Sequence, residues 1–252
     1  MLLRRIAHHL KEQNWIAVCL DLFVVVLGIF LAFQVERWYE DIRVQSQEGQ
    51  HLQSLLSDFQ DEIERLDWHI DRFSTAKAAA GELIRLSADD TDQISNDQFY
   101  ELLADAQRMA SVEPRRRAYD TLVATGAIES LADEELRGEL GAYFAMVEAF
   151  RDSHGNWTSQ LNLLWEPFIL EYLDRSMLIR STHPNDEYML DPVHQVDKFR
   201  RVLGSDELRN VLAKRWHFYR DMGNWLIEMR DQAREIESRI AANLRRYEGE
   251  KT

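Results

Sequence analysis

Apolar side chains fill almost every position from Trp15 to Phe33, and further along the chain they thin to a repeat of alternating fours and threes. As a helix, the first stretch covers ~28 Å, close to the hydrocarbon thickness of a bilayer. Trp15 at one end and Trp38 with Tyr39 at the other suit rings seated at the two headgroup layers. Arg4, Arg5 and Lys11 precede the stretch against a single acid, Glu12. That excess predicts a cytoplasmic N-terminus and an outer remainder. Leu31, Ala32, Phe33 and Gln34 offer no pair of small residues at cleavage spacing, so the pattern predicts an uncleaved signal anchor. A buried helix of a soluble protein is the competing reading, because Asp21 interrupts the run.

Around the helix axis that acid is not placed at random. Asn14, Ala17, Asp21, Gly28 and Ala32 fall within about 60° of one another, while Phe23, Val26, Phe30 and Phe33 lie elsewhere. Gly28 and Ala32 make a small-xxx-small step that admits another helix closely, and a carboxylate on this face is predicted to meet a partner and not lipid.

The later repeat predicts long helices with one packed face. Leu52, Leu56, Phe59, Ile63, Leu66, Ile70 and Phe73 form a first stripe. A second runs through Leu136, Leu140, Tyr143, Val147, Phe150, His154, Trp157, Leu161, Leu164 and Phe168. Met222, Leu226, Met229, Ala233, Ile236 and Ile240 make a third, on a helix predicted over 206–247. Between them, Ser95 is a candidate cap for a helix over 96–109, and Pro114 fits the first turn of one ending before Gly126. Residues 176–191 read as a loop, Asp191 and Pro192 open a short helix stopping at Gly204, and Ser205 caps the last one.

The predicted architecture is therefore all-α: an N-terminal transmembrane helix continuing into an antiparallel four-helix-type bundle with coiled-coil spacing, its first and last long helices side by side. It divides into a short cytoplasmic N-terminus (1–13), a transmembrane signal-anchor helix (14–35) and an extracytoplasmic, periplasmic helical domain (36–252). Trp68, Trp157, Trp165, Trp216 and Trp225 are expected to fill the bundle.

Charge narrows the partners. Taking the three basic and two acidic residues of the first thirty-five from totals of 30 and 44 leaves 27 against 42 in the outer domain. Nucleic acid is a poor partner for such a surface. The only cysteine, Cys19, lies in the apolar run, so the outer domain is expected to rest on packing without a disulfide.

Candidate chemistry is sparse. A di-metal bundle site needs two Glu-x-x-His pairs; Glu48 with His51 is one, and Asp191 with His194 straddles a helix start. No metal or cofactor is therefore expected. His154 sits on a packed stripe between Phe150 and Trp157 and is a possible buried polar site, with Tyr219 or Asp67 as expected partners. Arg115, Arg116 and Arg117 begin a helix, against its macrodipole, and are expected to be solvated or paired with acids such as Asp133, Glu134 and Glu135. Asn156-Trp157-Thr158 has a glycosylation pattern but falls mid-helix. The sequence contains no nucleophile elbow, phosphate-binding glycine loop or zinc signature.

Three segments carry a family resemblance: Gly28-Ile29 through Gln34 to Trp38, Ala118-Tyr119-Asp120-Thr121-Leu122 running to Gly126, and Leu136-Arg137 with Leu140 and Tyr143. Together they resemble an uncharacterised bacterial family of single-span envelope proteins with a helical domain of unknown function. The resemblance implies an anchor and a helical domain and no particular activity.

The expected role is a non-enzymatic scaffold or accessory subunit of a bacterial inner-membrane assembly, whose partners are the lipid bilayer and another membrane protein or a second copy of the chain. The alternative is a periplasmic sensor bundle, which would have to signal through a partner because so few residues precede the span.

Overall fold

Helices begin here where a side chain can take up N–H groups that a first turn leaves unpaired, as at Ser95, Asp133, Asp174 and Ser205. In a computed structural model, which describes residues 15–88, 94–109, 111–182 and 198–249, the elements are α1 (Trp15–Ala88), α2 (Asn96–Gln107), α3 (Arg117–Thr125), a 3₁₀ turn (Ala127–Ser130), α4 (Glu134–Tyr172), α5 (Arg175–Thr182), α6 (Lys198–Leu203) and α7 (Asp206–Gly249). No strand occurs among the described residues. Ser95 closes a capping box on α2, accepting from the Gln98 N–H while the Gln98 side chain accepts from the Ser95 N–H. Asp133 accepts from the Leu136 N–H at 3.0 Å to start α4, and Ser205 accepts from the Leu208 N–H at 3.2 Å to start α7. Gly126 ends α3 at φ 71°, a left-handed conformation that glycine adopts without steric cost.

Two compact units divide the chain, 1–51 and 52–252, and α1 contributes to both. In the first unit, Leu22–Tyr39 is a helical stretch long and apolar enough to cross a membrane, and none of it is buried. Its large side chains, from Leu22 through Phe33 to Tyr39, are all exposed, and Trp38 meets Tyr39 edge to face at 5.7 Å.

The second unit is built on α1, α4 and α7. Residues along α1 meet residues of decreasing number on α7: Gln60 with Glu237, Asp67 with Arg234, Phe73 with Phe218 and Ser87 with Arg209. These two helices are antiparallel neighbours, as their stripes predicted. Helix α4 is likewise antiparallel to α7, with Asn243 donating to Asp133 at one end and Phe218 beside His154 further along. Against α1, however, α4 runs parallel, since Phe59 packs on Tyr143 and Phe73 on His154.

Burial corrects the register of the first stripe. Leu52, Leu55, Phe59, Glu62, Leu66, His69, Phe73, Ala76, Ala80 and Leu83 form the fully buried seam, while Leu56, Ile63 and Ile70 pack at its side. The buried seam lies one residue from the stripe at three positions, and at two of them, Glu62 and His69, the buried member is polar. In the second stripe Leu164 is 44% exposed and Trp165, at 2%, takes its place. The third stripe is buried throughout, and it extends upstream through Leu208, Leu212, Arg215 and Tyr219. Trp165 is core, and Trp157, Trp216 and Trp225 pack against it in part, but Trp68 is 53% exposed, contrary to expectation.

Three boundaries also differ. Pro114 lies in an extended segment ahead of α3, whose first residue is Arg117, and α2 stops at Gln107, two residues short. Residues expected as loop from Ser176 form most of α5, stabilised by the Asp174 carboxylate, which accepts from the Ser176 N–H at 2.9 Å and from its hydroxyl at 2.6 Å. The remainder of that loop and the start at Asp191 and Pro192 lie outside the described residues; Lys198–Leu203 is helical.

The seam correction sets a direct test. In chemical denaturation of the detergent-solubilised chain, Leu55→Ala should cost about 3 kcal/mol and Leu56→Ala about 1 kcal/mol. Equal losses would restore the original register.

Candidate functional site

The strongest cluster of interacting polar groups lies where the chain breaks between α2 and α3. A broken helix leaves carbonyls unpaired at its C-terminal end and N–H groups unpaired at its N-terminal end, and burying them without partners is costly. Here the neighbouring long helices supply the partners. Arg215 and Tyr219, one turn apart on α7, close the end of α2: the guanidinium donates to the Ala106 carbonyl at 3.3 Å and the Tyr219 hydroxyl donates to it at 2.9 Å. The Arg108 carbonyl also lies 3.2 Å from that hydroxyl. A cation there complements the negative end of the α2 dipole. Arg215 lies over the Trp165 ring at 4.0 Å, and the indole N–H donates to Gln107 at 3.3 Å. Burial pushes the Arg215 guanidinium down from its ordinary value and the Tyr219 hydroxyl up.

At the other end Asp58 and Glu62, also one turn apart, are presented by α1 to the start of α3. Asp58 accepts from the Ala118 N–H at 2.7 Å and Glu62 from the Arg115 N–H at 2.7 Å. Carboxylates at the positive end of a helix dipole are favourably placed. Glu62 is almost fully buried and sits 3.4 Å from the Tyr143 hydroxyl, which donates to it. Burial raises the Glu62 carboxyl above its usual range, an effect only partly offset by the Arg115 N–H and the Arg65 charge. The same surroundings raise the Tyr143 hydroxyl, by burial first and then by the Glu62 charge.

Around this joint is an open concavity of about 600 Å³ lined by Arg65, Glu113, Arg115, Arg116, Arg117 and Asp120, among others. Arg116 pairs with Asp120 at 2.9 Å and with Glu148, and Arg65 donates to the Glu113 carbonyl. Within the arginine cluster Arg116 is salt-bridged, but not to the acids expected for the cluster. Glu135 instead takes Arg239, which also reaches Glu139 at 2.8 Å, while Asp133 takes Asn243. Tyr119, in the segment that carries the resemblance, stacks on Phe144 with centroids 4.0 Å apart. Chemically the arrangement is a fastening: its carboxylates and guanidinium groups are committed to each other and to the backbone.

His154 is placed on the packed face of α4 as the stripe required, but without either expected partner. Tyr219 is engaged at the end of α2, and Asp67 is paired with Arg234 at 2.9 Å and Arg230 at 3.4 Å. The ring stacks on Phe150 at 5.6 Å, and burial lowers its pKa. Of the predicted packing face on the span, Gly28 has open space where a Cβ would stand and Ala32 is exposed. The side chains of Ala17 and Asp21, and the whole of Asn14, lie outside the described residues. Among the described residues no three histidine, cysteine or acidic side chains converge as metal ligands; His194 is not among them.

The sequence pattern assigned no role to Asp58, Glu62 or Arg215, and it placed Tyr219 beside His154 and not at the end of α2. The available signal was their spacing. Glu62 and Arg215 stand on the fours-and-threes repeat, and a polar residue on a buried repeat requires a partner from another element.

No known protein family, characterised protein or solved structure matches the chain.

Glu62 gives a test with a defined sign. Its folded-state pKa is raised, so its favourable contribution is complete below the unfolded value near 4.5 and is lost as pH rises through the folded value. Glu62→Gln, which keeps an acceptor for the Arg115 N–H and removes the charge, should gain stability relative to the wild type as pH rises from about 4 to 8. Glu62→Leu, which removes the acceptor, should cost about 2 kcal/mol. Denaturation midpoints across that range measure both.

Proposed function

We propose that this chain is a membrane-anchored, non-enzymatic helical scaffold or accessory subunit of a bacterial inner-membrane assembly, with its N-terminus cytoplasmic and its helical body periplasmic. The observation that carries the reading is Leu22–Tyr39, an apolar stretch of 18 residues with no part of it buried. A core helix of a soluble protein would be covered by its own fold, whereas a surface of this size and apolarity calls for lipid or another apolar partner. The basic residues Arg4, Arg5 and Lys11 ahead of it support the orientation.

The body fits the same role. Its three long helices and the broken segment α2–α3 are read as an antiparallel bundle with four positions: α1 and α4 point one way, and α7 and the broken segment the other. Two open concavities, the one beside α3 and one of about 580 Å³ lined by Asp133, Arg234, Arg239 and Asn243 among others, are bordered by charges engaged with one another. Such surfaces support contact with a partner more readily than chemistry on a small substrate. The face carrying Ala17, Asp21, Gly28 and Ala32 is the proposed contact within the membrane.

Purification from membranes in mild detergent should recover a stoichiometric partner or a homo-oligomer, and Asp21→Leu should lower that recovery several-fold. A lone monomer whatever stands at position 21 would refute the contact. Recovery of the full-length chain in a soluble fraction would refute the anchor.

A further inference from the structure

Unpaired polar atoms gather at one level between α1 and α4. Nδ1 of His69 and Nε of Arg72 on α1, and Nε2 of His154 and Oγ1 of Thr158 on α4, are buried with no hydrogen-bond partner among the described residues. The contact of Phe73 with His154, centroids 6.3 Å apart, sets these two segments opposite each other. Buried polar groups left unpaired cost about 1–3 kcal/mol each, so this level is a weak stretch of the contact between α1 and α4.

The surroundings would make an added charge worse. His69 is almost fully buried with its ring edge-on to Trp68 at 4.8 Å, and Arg72 lies over the same indole at 4.7 Å. His154 is held among Phe73, Phe150 and Phe218. On its own helix His69 faces the cations Arg65 and Arg72, and across the interface it faces His154. From α7 the ring of Phe218 covers His154, while the nearby charges His217, Arg220 and Asp221 are bonded among themselves. On α4 Arg151 is turned to Glu148. Burial, followed by Arg65 and Arg72, holds the His69 ring down to about 4, and burial lowers His154 as well.

We propose that the His69–His154 level is an acid-sensitive joint of the bundle. A proton on His69 places a new cation beside Arg65 and Arg72, one on His154 places it among Phe73, Phe150 and Phe218, and α1 and α4 part there while the segments on either side stay packed. Both rings favour the fold when neutral. The His69 contribution is complete above its unfolded value near 6.5 and is lost as pH falls toward about 4. Below the joint Phe59, Tyr143 and Phe144 remain in mutual contact with no titrating imidazole among them.

Hydrogen exchange of the full-length chain in detergent micelles, corrected for the intrinsic effect of pH, tests this. Between about pH 7.5 and 5, opening of residues 66–73 and 150–158 should rise about tenfold while that of 136–147, where Glu62 favours the fold at lower pH, does not rise. His69→Gln with His154→Gln should abolish the response. Should that pair already open at neutral pH, His69→Leu with His154→Phe fills the level with apolar side chains and must remove the response instead. An unchanged wild type, an acid response that survives either double substitution, or uniform opening of the whole bundle would each overturn the proposal.

Discussion

Between Gln107 and Arg117 the chain leaves the helical conformation, and the two backbone ends this leaves unpaired are met by side chains of the long helices α7 and α1. The carbonyls at the end of α2 go to Arg215 and Tyr219 of α7, and the N–H groups at the start of α3 go to Asp58 and Glu62 of α1. Each pair is spaced by four residues, so one face of each long helix presents both members at once. The signs are also correct for the dipoles they meet. A cation stands at a carbonyl end and carboxylates at an amide end, in places where desolvation strengthens directed electrostatic contacts and penalises undirected ones. The two long helices are thereby held in register with the broken segment between them.

This arrangement explains why the packed seam is not wholly apolar. Glu62, His69 and Arg215 occupy repeat positions where leucine or isoleucine would pack with less desolvation cost. Glu62 and Arg215 have definite work in satisfying backbone groups, and each fixes one alignment of its helix, since a shift along the seam would strand a buried charge. His69 has no such work; its Nδ1 stays unpaired beside Arg72. The three polar positions thus divide into two that lock the bundle and one that weakens it locally, which underlies the proposed acid response.

The apolar segment of the first unit poses a different problem. None of Leu22–Tyr39 is buried among the described residues, whereas the second unit buries apolar residues against itself. Proteins in water do not leave such a helix bare. The proposed anchoring rests on that contrast between the two units and on the basic residues ahead of the span.

Periodicity and punctuation by themselves determined much: the helical character of the described residues, the apolar N-terminal stretch, the third stripe, and the caps at Ser95 and Ser205, because each depends on residues within a few positions of one another. That the first and last long helices would lie side by side was an expectation from striped segments joined by loops. Tertiary structure decided the rest. The true seam of α1 was hidden because Glu62 and His69 become acceptable inside only when α3 brings an N–H and α4 a second wall, and neither is local information. The Arg116–Glu148 pair, the setting of His154, the exposure of Trp68, the shift from Leu164 to Trp165, and the fastening at the α2–α3 break all depend on residues tens of positions apart. Sequence spacing fixes which side chains share a helix face; which face meets which depends on how the broken segment closes its backbone against α1 and α7.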